Sequence, residues 1–359
     1  MEKVTYILGA GFSAPLGLPV MSNFLFKSKD MYYENQDTYT HFKKVFDSIE
    51  SLSISKNYYN SNLFNIEEIL SLTEMMDFLD GKKLSEAFTK YIADVISYHT
   101  PQMKPYDGGA LPGNWYDFVF GSSGPLTKYG YFVGNLLRMT FCEGRKAKAL
   151  PGSDEREFHA AVSKEESIRY SVLTMNYDLV LENVASFVKN HFVTDGTLSF
   201  EKSNYDPEWE LCHLSKLHGC LEGGIIVPPT WAKGTHPQVV PAWKTAYQVL
   251  RDTNHIRFIG YSLPESDSYI KYLLKSAVVG CKHLKTIDVI CLDPDGSVKT
   301  RFDDLLEFGY YRFKNVSVTD YLDSLVRTTQ EIRRNNYGNR TTITMNSLEK
   351  VHAAFWASK

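Results

Sequence analysis

The chain of 359 residues is predicted to be an α/β protein: a Rossmann-type parallel sheet with helices on both faces and a large helical insertion after the first βα unit. Three observations predict this fold. Residues 3–8 form an almost unbroken apolar run, as buried parallel strands do. Glycines follow this run at once, at Gly9 and Gly11. From about residue 169 onward, short apolar strands alternate with amphipathic helices.

The first βα unit contains a glycine turn. Segment 9–14 (GAGFSA) fits the pattern G-x-G-x-x-G/A, and it lies between a predicted strand and a predicted helix. Gly9 and Gly11 allow the backbone to turn tightly and to approach a ligand closely. We expect free N–H groups at the helix start to face a pyrophosphate, which the helix dipole also favours. The alternative is a turn that simply needs two glycines.

Residues 24–168 are predicted to form the helical insertion subdomain, with loops and little strand. Its apolar residues recur at helical spacing in several segments, and Asn65 begins a sequence that resembles a capping box. The predicted helices cover about 66–79, 84–96 and 126–141. The Gly- and Pro-containing segment 101–124 indicates a long loop, and 154–166 indicates a charged, exposed stretch.

Residues 1–23 and 169–330 are predicted to form the nucleotide-binding sheet domain together. Strands are expected near 170–174, 214–217, 225–227, 256–259, 287–292 and, as the last strand, 316–318. Helices are expected near 179–189, 243–250 and 269–279.

The C-terminal tail, residues 331–359, combines basic residues with a short predicted helix. The basic residues are Arg333, Arg334 and Arg340, and the apolar residues of the helix are Leu348, Val351, Phe355 and Trp356. One interpretation is a solvated basic linker and a helix packed on its own domain. The other is a docking helix for an oligomer or a partner, because exposed apolar helices bind in grooves.

Composition narrows the class of protein. A formal net charge of −3 gives no reason to expect a nucleic-acid surface. The five cysteines are odd in number and form no C-x-x-C pair, which argues against a disulfide framework and a four-cysteine zinc site. No apolar run approaches the roughly 18 residues of a membrane span, and the N-terminal run is too short for a signal peptide. We therefore expect a cytoplasmic protein without a membrane segment or a metal site.

Polar motifs follow several of the predicted strands, at the edge where open α/β sheets bind ligands. They are segment 174–178 (TMNYD), segment 216–219 (KLHG), segment 260–263 (GYSL) with Asp267, and Asp293 before Pro294.

Together with the first loop, these motifs resemble the sirtuin-like superfamily of NAD-consuming enzymes. The residues that match its GAG-x-S…G-x-P phosphate loop are Gly9, Ala10, Gly11, Ser13, Gly17 and Pro19. Asn176 and Asp178 resemble its T-x-N-x-D residues, and His218 resembles the histidine of its H-G motif. The residues that resemble its G-x-S-L cofactor loop are Gly260, Ser262 and Leu263.

The departures from classical protein-deacylating sirtuins are informative. Their four-cysteine zinc module after the H-G motif is missing here, where segment 227–231 (VPPTW) stands instead. With the large insertion, this pattern is similar to the bacterial sirtuin-like NAD hydrolases of antiphage defence. The resemblance implies NAD+ as substrate, no zinc, and NAD depletion during infection. It also implies control by homo-oligomerisation or by a partner: a translocase-type ATPase, a short Argonaute or a phage protein.

The residue types fit cleavage of the nicotinamide–ribose bond, which has an oxocarbenium-like transition state. Asn176 offers an amide that can hold the ribose or the attacking water. His218 suits a general base. Asp178 can orient Asn176 or the nicotinamide amide, or stabilise positive charge. The alternatives are that His218 is a core histidine and that Asp178 caps the following helix.

The remaining polar residues suit binding of the dinucleotide. Ser13 and Ser262 can donate to phosphates, and Asp293 can accept from the adenosine ribose. The alternatives are a plain turn at 260–262 and a turn-forming role for Asp293. A dehydrogenase would have an acidic residue about 20 positions after the glycines, and Asp30 in that region follows no recognisable strand.

The sequence thus predicts an NAD+ glycohydrolase with Asn176, His218 and Asp178 as catalytic residues. Two other functions stay open. One is a binding module that senses NAD or a related nucleotide and needs no base. The other is a zinc-free deacylase or ADP-ribosyltransferase, which would need an open groove for its acceptor.

Overall fold

A computed structural model describes most of the chain. The described residues are 1–56, 65–81, 84–122, 124–145, 156–163, 168–194, 198–202, 205–208, 211–222, 225–227, 237–279, 281–326, 330–335 and 340–358.

Strands occur throughout these segments. They are β1 (Glu2–Leu8), β2 (Met139–Arg145), β3 (Arg156–Val162), β4 (Ile168–Thr174), β5 (Val193–Thr194), β6 (His213–Lys216), β7 (Gly219–Cys220), β8 (Ile225–Ile226), β9 (His255–Ile259), β10 (Thr286–Ile290), β11 (Tyr311–Lys314), β12 (Gln330–Asn335) and β13 (Arg340–Met345).

Helices connect and cover the strands. They are α1 (Ala10–Ser13), α2 (Phe24–Glu34), α3 (Thr40–Lys56), α4 (Ile66–Asp80), α5 (Ser85–His99), α6 (Pro125–Leu136), α7 (Val180–His191), α8 (Val240–Asp252), α9 (Ser268–Val278), α10 (Ser297–Leu305), α11 (Val318–Val326) and α12 (Leu348–Ala357).

The central sheet has six strands in the described part of the chain, in the order β6-β4-β1-β9-β10-β11, and every neighbouring pair is parallel. Numbered as they follow in the chain, these strands have the doubly wound order 3-2-1-4-5-6. The predicted Rossmann-type parallel sheet is therefore confirmed. The strand order reverses between β1 and β9, and ligands of such sheets bind beyond the carboxyl ends of the strands at this point.

Helices cover both faces of the sheet, because the strand side chains alternate between them. Tyr6 and Leu8 of β1 belong to one apolar core, which includes residues of α6, α7, α11 and α12. Ile7 belongs to a second core, which includes residues of α8, α9 and α10. The sheet is thus apolar on both sides, which explains the nearly unbroken apolar run that predicted β1.

A second sheet was not expected. Its described strands have the order β12-β13-β2-β3-β5, antiparallel except for the β3–β5 pair. The insertion is therefore not made of helices and loops alone. Residues 139–141, predicted as helix, are strand, because Arg138 takes a positive φ of 51° and α6 has already ended. Segment 154–166, expected to be exposed, contains β3, in which Ala160 is buried.

Two expectations for the last third of the chain are wrong. The last strand of the central sheet is β11 and not the predicted strand at 316–318, since Val318 begins α11. Ile225 and Ile226 pair with β7 in a separate antiparallel hairpin rather than with the central sheet.

The division of the chain into three domains, residues 1–23 plus 169–330, 24–168 and 331–359, remains a prediction. The second sheet joins strands from all three of these segments.

The C-terminal tail packs on its own chain. Residues 330–335 and 340–345, expected to be a basic linker, are the paired strands β12 and β13. The helix α12 buries Leu348 and Val351, and Arg257 of β9 donates to the Glu349 carboxylate at 2.7 Å. Among the described residues, no helix is both long enough and apolar enough to cross a membrane.

Candidate active site

The glycine turn after β1 packs directly against the turn after β9. Gly11 N–H donates to Gly260 O at 2.9 Å, and Gly9 N–H donates to Ile259 O at 3.3 Å. A Cβ atom on Gly9 would lie 2.6 Å from Tyr261 Cα, and one on Gly11 would lie 2.7 Å from Gly260 O. Both glycines are therefore required by the contact between the two turns, whatever ligand the turns bind.

The turn after β9 contains two residues with left-handed backbone. Gly260 has a φ of +62°, and a Cβ there would lie 2.3 Å from Phe12 N. Leu263 has a φ of +50°, which costs a non-glycine residue about 1–2 kcal/mol. Such strain is typical of functional turns, because the surrounding structure must hold it in place.

The N–H groups of the glycine turn are mostly used inside the protein. Besides Gly9 and Gly11, Phe12 N–H donates to Gly9 O at 2.9 Å. The expectation that free N–H groups face a pyrophosphate is therefore wrong for these three residues. The reason is that the two turns satisfy each other's backbone groups. Tyr129 adds a further bond, from its hydroxyl to Phe12 O at 2.6 Å.

Asn176 ties the end of β4 to the glycine turn. Its side-chain nitrogen donates to Gly9 O at 3.0 Å and to Ser13 Oγ at 3.1 Å. Its backbone N–H donates to Thr174 Oγ1 at 3.0 Å. Since both amide hydrogens are engaged, the amide oxygen Oδ1 is the atom of this side chain that suits a ribose hydroxyl or a water.

Asp178 is buried at the start of α7. Its Oδ1 accepts the N–H of Val180 at 3.0 Å, so the carboxylate caps the helix, as the alternative interpretation has it. Burial raises the pKa of Asp178, although Lys216, a hydrogen bond with Ser13 and the Val180 N–H act in the opposite direction. Ser13 thus bridges Asn176 and Asp178.

Lys216 joins the ends of β4 and β6. Its buried ammonium donates to Asp178 O and lies 3.0 Å from Glu182 Oε1. Burial disfavours the charge, but the carboxylates outweigh it, with Glu182 first, and the pKa of Lys216 is raised. The lysine therefore stays charged and fixes the loop that carries Asn176 and Asp178.

His218 lies on the same edge of the sheet as Asn176. Thr174 and Lys216 are partners in the β4–β6 register, and Asn176 and His218 each lie two residues beyond that pair. His218 is only 1% exposed, and its ring centroid is 5.9 Å from that of Tyr177. The register thus places both residues beyond the carboxyl ends of neighbouring strands.

Asp267 is the neighbour of His218 whose role sequence reasoning missed. His218 Nε2 lies 3.5 Å from Asp267 Oδ1, and the Tyr261 hydroxyl donates to Asp267 Oδ2 at 2.8 Å. The sequence places Asp267 shortly after the GYSL motif but indicates no role for it. The signal that could have found it is an acidic residue a short distance after a strand-end motif.

Trp243 is a second residue that was missed. Its indole N–H donates to Leu217 O at 2.9 Å, next to His218. Val227 N–H donates to His218 O at 2.9 Å. The backbone on both sides of the histidine is therefore held by α8 and by the segment after β8.

The other predicted binding residues make hydrogen bonds or packing contacts within the protein. Asp293 accepts the N–H groups of Val298 and Lys299, at 3.0 and 2.9 Å, and so caps α10. Ser262 O accepts from Arg301 Nε at 3.0 Å. The Leu263 side chain lies in the second core.

The residues beyond the turn that are predicted to belong to a phosphate loop lie nearer the surface. Gly17 has a φ of +90° and is exposed, and its carbonyl accepts from Lys27 Nζ at 2.6 Å. Ala10 is exposed and Pro19 is half-buried. Pro228, Pro229, Thr230 and Trp231 lie outside the described residues.

The histidine edge of the site is enclosed, and an open groove lies elsewhere. A groove of about 1150 Å³ runs between the loop after residue 117, α11 and α12, and no predicted site residue lines it. Its lining residues include Lys128, Asp323 and Phe355. Among the described residues, no group of three or more His, Cys, Asp or Glu side chains is arranged to hold a metal ion.

The fold and the site define a doubly wound α/β protein with a polar cluster where the strand order reverses. No family model and no curated protein matches the chain. Among solved structures, the chain is similar to a Sir2 protein in complex with the inhibitor EX-527, 2′-O-acetyl-ADP-ribose and a deacetylated p53 peptide. The sequence identity is 12% and the TM-score 0.31, over 90% of this chain and 91% of that chain.

Proposed function

We propose that this protein is an NAD+ hydrolase that releases nicotinamide and ADP-ribose. The observation that supports the proposal is that Asn176, bonded to the glycine turn, and His218 both follow strands at the carboxyl edge of a doubly wound sheet. This edge is where such sheets bind nucleotides. An amide and an imidazole at that position suit glycosidic cleavage, and the sequence motifs resemble those of NAD-consuming sirtuin-like enzymes.

The reaction needs few groups from the protein. The bond between ribose C1′ and the nicotinamide nitrogen breaks, and its electron pair leaves with nicotinamide. A water oxygen bonds to C1′, and its proton passes to the His218 ring. Asn176 Oδ1 orients the ribose or the water. Asp178 acts through Ser13 by holding Asn176 in place, so its contribution is to position the amide.

The low exposure of His218 supports a regulated enzyme. Substrate must reach the imidazole, yet the ring is 1% exposed. We therefore assign the described conformation to a resting state that assembly or a partner opens. In this proposal the protein is an effector of antiphage defence that depletes cytoplasmic NAD+. Its regulators are its own oligomerisation and a translocase-type ATPase, a short Argonaute or a phage protein.

The test follows nicotinamide and ADP-ribose formed from NAD+ by the purified protein, and NAD+ levels in phage-challenged bacteria that express it. We expect His218→Ala and Asn176→Ala to abolish the NAD+ loss. His213→Ala is the matched control, because His213 is also buried but lies at the other end of β6. Hydrolysis that survives His218→Ala would refute the assigned base.

A nucleotide-sensing module is the second candidate. The observation that favours it is that Asn176 and Asp178, two of the three predicted catalytic residues, use polar atoms for structural bonds. Such a module would bind NAD+ tightly without turnover, in the isolated protein and in challenged cells alike.

The assay for nicotinamide and ADP-ribose, with an added acetyl-lysine peptide, tests a zinc-free deacylase, which would consume NAD+ only with the peptide present.

A further inference from the structure

We infer that Asp267 is a positioning residue for His218, a role that rests on the proposed function for its effect on catalysis. The carboxylate holds the imidazole with Nε2 protonated, so that Nδ1 is the nitrogen that takes up the proton from water. A base oriented by a buried carboxylate is a recurring arrangement in hydrolytic sites.

The geometry of the pair is the first argument. Asp267 Oδ1 is 3.5 Å from His218 Nε2, and the two residues are 4% and 1% exposed. A carboxylate so close to one ring nitrogen favours a proton on that nitrogen. It also stabilises the positive charge that the ring gains during the reaction, because little water screens the pair.

The orientation of Asp267 is the second argument. Asp267 occupies the N-cap position of α9, but among the described residues its side chain makes no capping hydrogen bond. Asp178 and Asp293, by contrast, both bond to helix N–H groups. The Asp267 carboxylate instead accepts from Tyr261, whose hydroxyl is 2.8 Å from Oδ2. The carboxylate is thus fixed from one side by Tyr261 and presents its other oxygen to His218.

The position of Tyr261 is the third argument. Tyr261 belongs to the turn that packs against the glycine turn, and its Cα is among the atoms that exclude a side chain at Gly9. One chain of contacts therefore runs from the nucleotide-binding turn through Tyr261 and Asp267 to His218. Through it the ring orientation depends on the turns that would hold the substrate.

The first test measures the kinetics of Asp267 and Tyr261 variants. We expect Asp267→Asn to lower kcat by at least about tenfold, with KM and NAD+ affinity nearly unchanged, because a base contributes about 10²–10⁴-fold. Tyr261→Phe should have a smaller effect of the same kind.

Nitrogen-15 NMR of the histidine rings tests the inference without activity. We expect the signal absent from His218→Ala to report a protonated Nε2 in the wild type and to change in Asp267→Asn and Asp267→Ala. The control is Asp288→Asn at the other buried pair, where His352 Nε2 lies 2.9 Å from Asp288 Oδ2. It should leave the His218 signal in place.

The outcomes separate the two proposals. An unchanged His218 signal in both Asp267 variants, or a bare Nε2 in the wild type, overturns the positioning role even if NAD+ is hydrolysed. A protein that never hydrolyses NAD+ refutes the proposed function. The NMR result then still decides whether Asp267 orients the ring.

Discussion

Asn176 and Ser13 are joined by a hydrogen bond of 3.1 Å between the side-chain amide and the hydroxyl. The bond links the loop after β4 to the helix after β1, on neighbouring strands of the sheet. A second bond from the same amide to Gly9 O, at 3.0 Å, holds the glycine turn itself. The residue predicted to touch substrate is thus also part of what keeps the glycine turn in place.

Asn176→Asp should therefore reduce both stability and activity. The carboxylate cannot donate to Gly9 O or Ser13 Oγ, and leaving these part-buried acceptors without their donor costs about 1–3 kcal/mol. Urea denaturation at neutral pH measures this loss. The matched control is Asn35→Asp at an exposed helix end, where the side chain accepts from Thr38 N–H, as an aspartate can, and the change should stay within about 0.5 kcal/mol. Equal losses of stability in the two variants would contradict the proposal that the Asn176 amide holds the glycine turn.

Gly11→Ala should destabilise the protein through the contact between the turns. The added Cβ would lie 2.7 Å from Gly260 O, and backbone cannot move aside as a flexible side chain can. We expect a loss of about 1–3 kcal/mol, typical of overpacking. Gly113→Ala is the control, because nothing lies within 4 Å of its Cβ position. A Gly11→Ala variant as stable as Gly113→Ala would show that the turns separate easily.

Lys216→Met should be among the most damaging single changes near the site. It leaves Glu182 buried without the ammonium 3.0 Å away and releases the carbonyl of Asp178. Breaking a buried ion pair on one side costs about 3–5 kcal/mol. Lys202→Met is the matched control, because Lys202 is more exposed and lies 3.8 Å from the same carboxylate, so about 1 kcal/mol or less is expected. Similar melting temperatures for the two variants would refute the anchoring role of Lys216.

Five of the six strands of the central sheet could be predicted because each carries its own signal, whereas β11 (Tyr311–Lys314) could not. Residues 3–8 and 256–259 are mostly apolar, and turn residues follow them. The second sheet could not be predicted, since β2 and β13 are partners that lie far apart in the chain and carry polar residues. The contact of His218 with Asp267 could not be predicted from the sequence either, because it depends on how the whole fold places β6 and β9.

The structure also shows why a glycine motif by itself is ambiguous. Gly9 and Gly11 are needed for packing against Gly260 and Tyr261, so the pattern would be kept with or without a bound dinucleotide. The position of the motif in the fold is what favours a ligand-binding turn over a plain turn. Asn176 and His218 converge on the same sheet edge from two other strands, and a turn selected for packing alone would not require them.

The pH dependence of stability should reveal the buried His352. Burial, with Arg257 nearby, lowers the pKa of His352 to about 4, although Asp288 opposes the shift. Between the ordinary pKa of 6.5 and about 4, the unfolded chain binds a proton that the folded protein does not. The stabilisation is therefore present above pH 6.5 and lost as the pH falls toward 4, by up to about 3 kcal/mol.

Denaturation measured from pH 7 to about 4 should show this loss in the wild type and a flatter profile in His352→Gln. The exposed His283 provides the control: His283→Gln should keep the wild-type slope. A His352→Gln profile as steep as the wild type would mean that His352 is not the source of this pH dependence.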